Sequence, residues 1–287
     1  MSADFSVVVP TFRRPKALAE ALSSVLDQKG ATIEIIVVDD CPDGSAREVA
    51  EAAGRCVRYL QNPRPTGGVP SVVRNLGWRH AKGRFIHFLD DDDVAPAGHY
   101  SAVKQALELR PEVGVVFGRI EPFGDCPADQ LTHERSFFLD AAHRAANCAR
   151  FGPKWGFAGQ MLFDKTLLVC SACVIRRECV EALGGFDPEI RLMEDSDFFL
   201  RAVRQFGAHF IERTVLHYRI GSPSLLHGLD PDPSRHVEQM RGRRRMQAKY
   251  LKERGALEFA SLALFTRAVL RVACGSGRAA RRDGDGE

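Results

Sequence analysis

Four consecutive aspartates, Asp90, Asp91, Asp92 and Asp93, follow the apolar run Phe85, Ile86, Phe88 and Leu89, where a strand should leave the core. Carboxylates this dense repel one another unless a cation lies among them. A short strand ending in clustered carboxylates presents oxygen ligands to Mg²⁺ or Mn²⁺, ions that keep several waters and take their other ligands from substrate phosphates. The run points to a metal and a nucleotide. Taken alone, it is equally a solvated acidic turn that caps the next helix.

The elements around the aspartates narrow the choice. Residues 5–9 form a short β-branched run ending at Pro10, and residues 15–28 carry Ala17, Leu18, Ala21, Leu22, Val25 and Leu26 at helical spacing. The pattern repeats as strand 33–38 ending in Asp39 and Asp40, helix 46–53, strand 57–60, helix 69–81, strand 85–89, helix 97–109 and strand 113–117. Alternating βα units with nearly continuous apolar strands predict an α/β chain whose doubly wound, mostly parallel sheet is covered on both faces. Residues 122–165 mix Gly, Pro, Asp and aromatics and read as an irregular, substrate-facing insertion. Regularity returns with strand 167–175, helix 177–183 stopped by Gly184 and Gly185, helix 195–206 stopped by Gly207, and strand 209–215. A basic helix over 237–254, an apolar helix over 256–272 and a tail of disordered composition over 275–287 complete the chain.

Composition removes several classes. At 287 residues the chain suits one large α/β domain with an appendage, and a net charge of +3 excludes an overall polybasic nucleic-acid binder. The start MSADFSVVVP lacks the basic and apolar regions of a secretory signal, so a cytoplasmic location is expected, with peripheral contact on the inner membrane face as a rider. No uncharged apolar stretch reaches the ~18 residues of a membrane span. The eight cysteines are scattered and are read as reduced thiols. Cys170 and Cys173 have metal-like spacing, but strand alternation would put them on opposite faces, against a shared zinc.

In open parallel sheets ligands bind outside the carboxyl ends of the strands. Three polar clusters stand at such ends: Pro10 with Thr11, Asp39 with Asp40, and the aspartate run. Together with RNLGW, GGFDPEI and MEDSDFFLRAVRQFG, in that order, VVVPTFRRPKALAEALSSVLDQ, IEIIVVDDCPDGS and RFIHFLDDDD resemble the family 2 glycosyltransferases of the GT-A fold over about residues 5–218.

The resemblance implies an inverting transfer of sugar from a nucleotide diphosphate sugar, foremost a UDP-sugar, to an acceptor hydroxyl of a surface glycan, a lipid-linked sugar or a small glycoside. It implies a GT-A catalytic domain over 1–231, with a nucleotide-sugar half (1–119) and an acceptor and base half (120–231), then C-terminal helices over 232–274. Carried onto this chain, Pro10, Thr11, Asp39, Asp40 and Arg74 would meet the nucleotide, and Asp90, Asp91 and Asp92 form the DxD region. There Asp90 and Asp91 would contact donor or metal, and Asp92 is the preferred metal ligand. Asp93 is expected to cap a helix. A divalent metal, Mn²⁺ or Mg²⁺, would stabilise charge on the leaving diphosphate. Asp195, beside Glu194, would be the base, although Asp195 or Ser196 equally suits a helix cap. His217 is a candidate metal ligand, with His227 as substitute, and Arg219 a phosphate partner. Phe186 and Asp187 are expected near the bound sugar.

Two other readings stay open. One is a sugar-phosphate nucleotidyltransferase, which needs a Gly-rich phosphate loop that VVVPTFRRP lacks. The other is a non-catalytic module that binds nucleotide sugar or glycan. The C-terminal helices either pack on the catalytic domain or lie on anionic lipid.

Overall fold

The computed structural model describes residues 3–164, 167–221 and 233–270. His227, the 231/232 boundary and the 275–287 tail lie outside the described residues. The first half alternates as expected: β1 (Phe5–Thr11), α1 (Pro15–Leu26), β2 (Ile33–Asp39), α2 (Arg47–Ala52), β3 (Val57–Gln61), α3 (Pro70–Trp78), β4 (Phe85–Phe88) and α4 (His99–Leu109). It continues as β5 (Val115–Phe123), α5 (Ala128–Ala149), α6 (Trp155–Phe163), β6 (Cys173–Arg176), α7 (Arg177–Leu183), α8 (Glu194–Phe206), β7 (Ala208–Arg219), α9 (Pro233–Arg254) and α10 (Ala256–Phe265), which runs into a π-helical turn, Thr266–Leu270.

The seven strands lie in one sheet in the order β3-β2-β1-β4-β6-β5-β7. All run parallel except β6, which is antiparallel to both β4 and β5. Strand order reverses at β1, flanked by β2 on one side and β4 on the other, so the crevice at their carboxyl ends is the expected ligand position. Phe5, Val7 and Val9 point into a core with Leu18, Leu22 and Tyr100, while Val8 points to the opposite core with Phe88, Phe186 and Phe198. Burial on both faces explains why these strands are apolar throughout instead of alternating. Gly77 lets α3 press against β1: a Cβ there would sit 2.4 Å from Val8 Cγ1.

Three expectations are corrected. The 122–165 stretch is not irregular; it holds the end of β5, α5 and α6. Its helical signal is carried by small residues, since Phe138, Ala141, Ala142, Ala145 and Cys148 form the buried stripe of α5, while α6 is buried nearly all round and has no polar face to reveal a period. The expected strand over 167–175 begins only at Cys173, because Cys170–Ala172 forms a 3₁₀ turn. That turn brings Cys170 and Cys173 into the same core, not onto opposite faces, and both remain free thiols. The 119/120 boundary falls inside β5, at an irregularity in its pairing with β7.

The C-terminal helices pack on the core. Met246, Tyr250 and Leu262 are buried, Arg204 of α8 reaches Tyr250 Oη (3.1 Å) and Glu258 (2.7 Å), and Lys249 pairs with Asp187 (2.9 Å) and Asp197 (3.2 Å). Among the described residues no helix is long and apolar enough to cross a membrane.

Candidate active site

A cleft of about 640 Å³ opens at the carboxyl ends of β1 and β4. One wall comes from the segment after β1 (Thr11, Phe12, Arg14) and the glycine turn Gly67–Gly68; the floor is Asp90, Asp91 and Asp92; the far wall is the start of α8 and one side of α9.

Two arginines organise the floor. Arg14 Nη1 reaches Asp91 Oδ1 at 3.1 Å and Asp92 Oδ2 at 2.6 Å, and Thr11 Oγ1 donates to the second oxygen of Asp91 at 2.6 Å. Arg74, only 3% exposed, spans the cleft base, with Nη2 on Asp90 Oδ1 at 2.7 Å and Nη1 on Glu194 Oε1 at 2.8 Å. Its guanidinium also lies 5.5 Å from the Phe186 ring centroid. Such forked contacts suit arginine, whose planar donors serve two carboxylates at once. Arg219 completes the ring of cations. It donates from Nε to the Asp92 carbonyl (2.8 Å) and from its backbone N–H to Asp93 Oδ1 (3.0 Å), and it pairs with Glu20.

Burial raises the proton affinity of these carboxylates. It pushes Asp91 up to about 7, against the pull of Thr11 and Arg14. Burial and the neighbouring Asp195 push Glu194 up to about 7, with Arg74 opposing. Asp195 is raised by burial, again opposed by Arg74. Asp195 lies in the first turn of α8, which is entered through Met193 in a left-handed conformation (φ 73°). Such a φ is uncommon for methionine and marks a constrained turn. Gly242 of α9 holds this turn from behind, since a Cβ there would lie 2.3 Å from the Leu192 carbonyl oxygen. Asp195 Oδ1 accepts from the Ser196 N–H at 2.6 Å, and neither residue caps the helix.

Behind the floor, buried His87 lies between Tyr100 Oη (2.9 Å from Nδ1) and the Ser171 carbonyl (2.8 Å from Nε2). A carbonyl only accepts, so Nε2 carries the proton and Nδ1 accepts from the tyrosine hydroxyl. Burial lowers this histidine to about 4, so it is neutral at physiological pH. Ser171 Oγ in turn accepts from the Asp90 N–H at 3.1 Å, fixing the first aspartate.

Of the residues expected from sequence, Pro10, Thr11, Arg74, Asp90, Asp91, Asp92, Glu194, Asp195 and Arg219 line this one cleft. Asp39 and Asp40 do not. Asp39 is spent on its own loop, accepting from the N–H groups of Cys41 and Ala46 and from Tyr59 Oη. Asp40 accepts from Asn62, Thr66 and the Gly68 N–H, so it shapes the glycine turn while its oxygens are already used. Arg74 is likewise not a free nucleotide ligand but a buried bridge between carboxylates. Asp93 caps no helix, because α4 starts at His99 behind Gly98, and its carboxylate instead holds the Arg219 backbone. Phe186 stacks on Phe198 in the core (4.2 Å between centroids) and Asp187 pairs with Lys249, both away from the cleft wall.

His217 does not join the aspartates. Its backbone pairs with Val94, its ring lies 6.2 Å from that of Phe123, and it is absent from the cleft wall. Among the described residues no three His, Cys, Asp or Glu side chains gather as a ready metal cage. A Mg²⁺ or Mn²⁺ ion needs only one or two protein carboxylates when phosphates supply the rest. Asp90 and Asp92, hard oxygen donors on the cleft floor, fit that demand.

Sequence reasoning missed Arg14, the glycine turn and the α9 wall formed by Gln239, Met240 and Arg243. Arg14 was discoverable, since it directly follows a strand end already singled out. The α9 residues were not, because only tertiary packing brings them to the cleft.

The sequence model of the family "Glycosyl transferase family 2" matches residues 6–183. An uncharacterised glycosyltransferase of Haemophilus influenzae is 25% identical over 220 residues, 76% of this chain and 66% of that protein. The GalNAc(5)-diNAcBac-PP-undecaprenol beta-1,3-glucosyltransferase of Campylobacter jejuni is 35% identical over 42% of this chain and 37% of its own length. A UDP-Glc:alpha-D-GlcNAc-diphosphoundecaprenol beta-1,3-glucosyltransferase of Escherichia coli is 29% identical over 40% of this chain and 45% of its own length. The chain thus matches less than two thirds of the length of each of these relatives. Among solved structures, S. aureus TarS 1-349 in complex with UDP-GlcNAc superposes with a TM-score of 0.66 at 17% identity, over 98% of this chain and 76% of that one. A mannosyltransferase of Pyrobaculum calidifontis in complex with GDP-Man and Mn²⁺ gives 0.55 at 17% identity, over 99% of this chain and 89% of that one. At these identities the likeness establishes the fold, a GT-A sheet with C-terminal helices.

Proposed function

This chain belongs to glycosyl transferase family 2, and from that premise we propose that it is an inverting glycosyltransferase. It moves a sugar from a nucleotide diphosphate sugar to an acceptor hydroxyl. The observation that carries the reading is Arg74, which ties Asp90 to Glu194 and so opens both acidic motifs onto one cleft.

The nucleotide lies along Pro10, Thr11 and the glycine turn held by Asp40, with its diphosphate above Asp90 and Asp92. Asp195 takes the proton from the acceptor hydroxyl as that oxygen attacks the anomeric carbon, on the face opposite the departing diphosphate. Arg74 holds Glu194 against Asp90, which fixes the start of α8 and with it the position of the base. Arg14 and Arg219 place positive charge where the leaving group becomes more negative. A divalent ion held by Asp90 and Asp92 would add Lewis-acid stabilisation of that same charge.

A UDP-sugar is the donor class favoured by the relative named for UDP-Glc and by the likeness to TarS. Relatives named for undecaprenol-linked substrates favour a lipid-linked saccharide acceptor in surface-glycan synthesis. A cytoplasmic enzyme would reach such an acceptor from the inner membrane face, with the exposed Arg241, Arg244 and Lys252 of α9 toward anionic lipid. Sedimentation with anionic vesicles at low and high salt checks that rider.

The test of the reaction is a panel of nucleotide sugars with Mn²⁺ or Mg²⁺, read as thermal stabilisation and donor turnover, followed by Asp195→Asn. Transfer should fall roughly 10²- to 10⁴-fold while nucleotide affinity is kept. Unchanged transfer removes Asp195 as the base. Stabilisation by nucleotide sugars without any turnover favours the binding-module reading instead.

A further inference from the structure

We propose that Arg14 is the resident counter-cation of the aspartate floor and releases Asp92 to a divalent ion only when a nucleoside diphosphate arrives, so that metal and nucleotide bind as one coupled event. The inference rests on the reading above that the cleft takes a diphosphate and a metal.

The geometry separates a fixed backbone from a movable head. Arg13, directly before it, holds a left-handed φ of 57°, and its N–H donates to Cys41 Sγ at 2.9 Å. The Arg14 carbonyl accepts the first helical bond of α1 from Leu18 at 3.0 Å, and Pro15 follows within the helix. The chain cannot shift here without breaking these bonds. The Arg14 side chain, in contrast, is 32% exposed and lines the cleft, while the carboxylates it holds are only 6% (Asp91) and 12% (Asp92) exposed. A side-chain rotation is enough to take its guanidinium off both carboxylates. Asp91 stays in place when it does, because Thr11 Oγ1 grips the other oxygen.

Electrostatics sets the order of events. An ion that takes Asp92 Oδ2 as a ligand must displace the Arg14 nitrogen lying 2.6 Å from it. In the donor-free protein this leaves an arginine and a divalent cation competing for the same carboxylates, and like charges at such range repel. A diphosphate removes the conflict, since its oxygens complete the metal's ligand set and offer the displaced guanidinium a forked partner. Arg219 is not equivalent, because its head is held by the Asp92 carbonyl and Glu20 and its grip on Asp93 is through the backbone.

The experiment is a Mn²⁺ titration followed by electron paramagnetic resonance of the free ion, with and without UDP, on wild type, Arg14→Gln and Arg14→Lys. Each protein is first checked for an unchanged thermal transition. In wild type, UDP should tighten Mn²⁺ binding roughly ten- to a hundredfold. Arg14→Gln should bind Mn²⁺ at least roughly tenfold more tightly than wild type when UDP is absent, and lose most of that coupling. Arg14→Lys, which keeps the charge, should resemble wild type. Equal affinity of wild type and Arg14→Gln without UDP overturns the proposal and leaves the metal reading intact, provided both bind Mn²⁺ with UDP. No Mn²⁺ binding by any protein under either condition overturns both. A merely structural role for Arg14 would weaken metal binding on substitution, the opposite sign.

Discussion

The two ends of the cleft floor use the same chemistry at different depths. At one end Arg74, with a side chain 4% exposed, joins Asp90 to Glu194; at the other Arg14, 32% exposed, joins Asp91 to Asp92. Arg74 and Glu194, 4% and 11% exposed, cannot trade a partner for solvent, so losing one strands a charge in low dielectric, whereas Asp90 at 34% keeps water as a partner. A pair with a wet partner trades readily and contributes little to stability. The buried end therefore fixes where Asp195, the proposed base, stands relative to the aspartate floor, and the open end is where charge exchange is proposed. Stability belongs to the first and ligand exchange to the second, within a single row of aspartates.

The largest effect should come from breaking the buried end. Arg74→Met leaves buried Glu194 without its cation, while the more exposed Asp90 is left to water, and should cost about 3 kcal/mol of unfolding free energy, measured by urea denaturation. Transfer should fall with it. Arg74→Lys restores the charge but not the fork, and should recover less than half of the loss. With the opposing cation gone, burial raises Glu194 above its present value of about 7, and Asp195 rises with it. In a folded Arg74→Lys variant with a weakened contact, the acid limb of the pH–rate profile should accordingly move to higher pH. An Arg74→Met protein as stable as wild type would show that the bridge does not hold the two motifs together.

The buried end was also the harder one to read in the sequence. The strand and helix order from β1 to α4 was legible because apolar runs end in acids or in Gly- and Pro-containing turns, and few topologies remain once a doubly wound sheet is recognised. The family resemblance named Asp90, Asp92, Asp195 and Arg219, which the fold brings to one cleft. The resemblance also named Asp39, Asp40 and Arg74 for the nucleotide, and a charged side chain looks the same in sequence whether its partners come from ligand or from protein. Asn62, Thr66 and Gly68 satisfy Asp40, and nothing in their spacing announces it. Past β5 the signal failed for another reason: α5 buries alanines and α6 buries every face, so hydrophobic periodicity had little contrast. The α9 wall, set by Gly242 against Leu192, exists only in three dimensions.

A second way to sharpen the contrast is acid. His87 supports the buried end through Ser171, which accepts from the Asp90 N–H, and burial lowers it from 6.5 to about 4. Between these values the unfolded chain binds a proton that the folded protein refuses, so stability rises with pH across the window. The contribution is complete above about pH 6.5 and is lost as pH falls toward 4, a difference of roughly 3 kcal/mol. Asp91 and Glu194, both raised to about 7, act with the opposite sign in this window, so the His87 part is read as the difference between wild type and His87→Gln in urea midpoints at pH 7 and pH 4.5. If wild type and His87→Gln show the same pH dependence, His87 is protonated in the fold.

The smallest effect should come from the open end. Arg14→Gln removes a partner that is a third exposed, and its two carboxylates keep other support: Thr11 Oγ1 still donates to Asp91, and the positive charge of Arg219 stays near Asp92. Its cost in unfolding free energy should be about 1 kcal/mol or less, read in the same urea experiment as Arg74→Met. A loss comparable to that of Arg74→Met would make Arg14 a second structural clamp. The guanidinium would then be too costly to displace, and the division of labour along the aspartate row would fail at the very residue proposed to exchange.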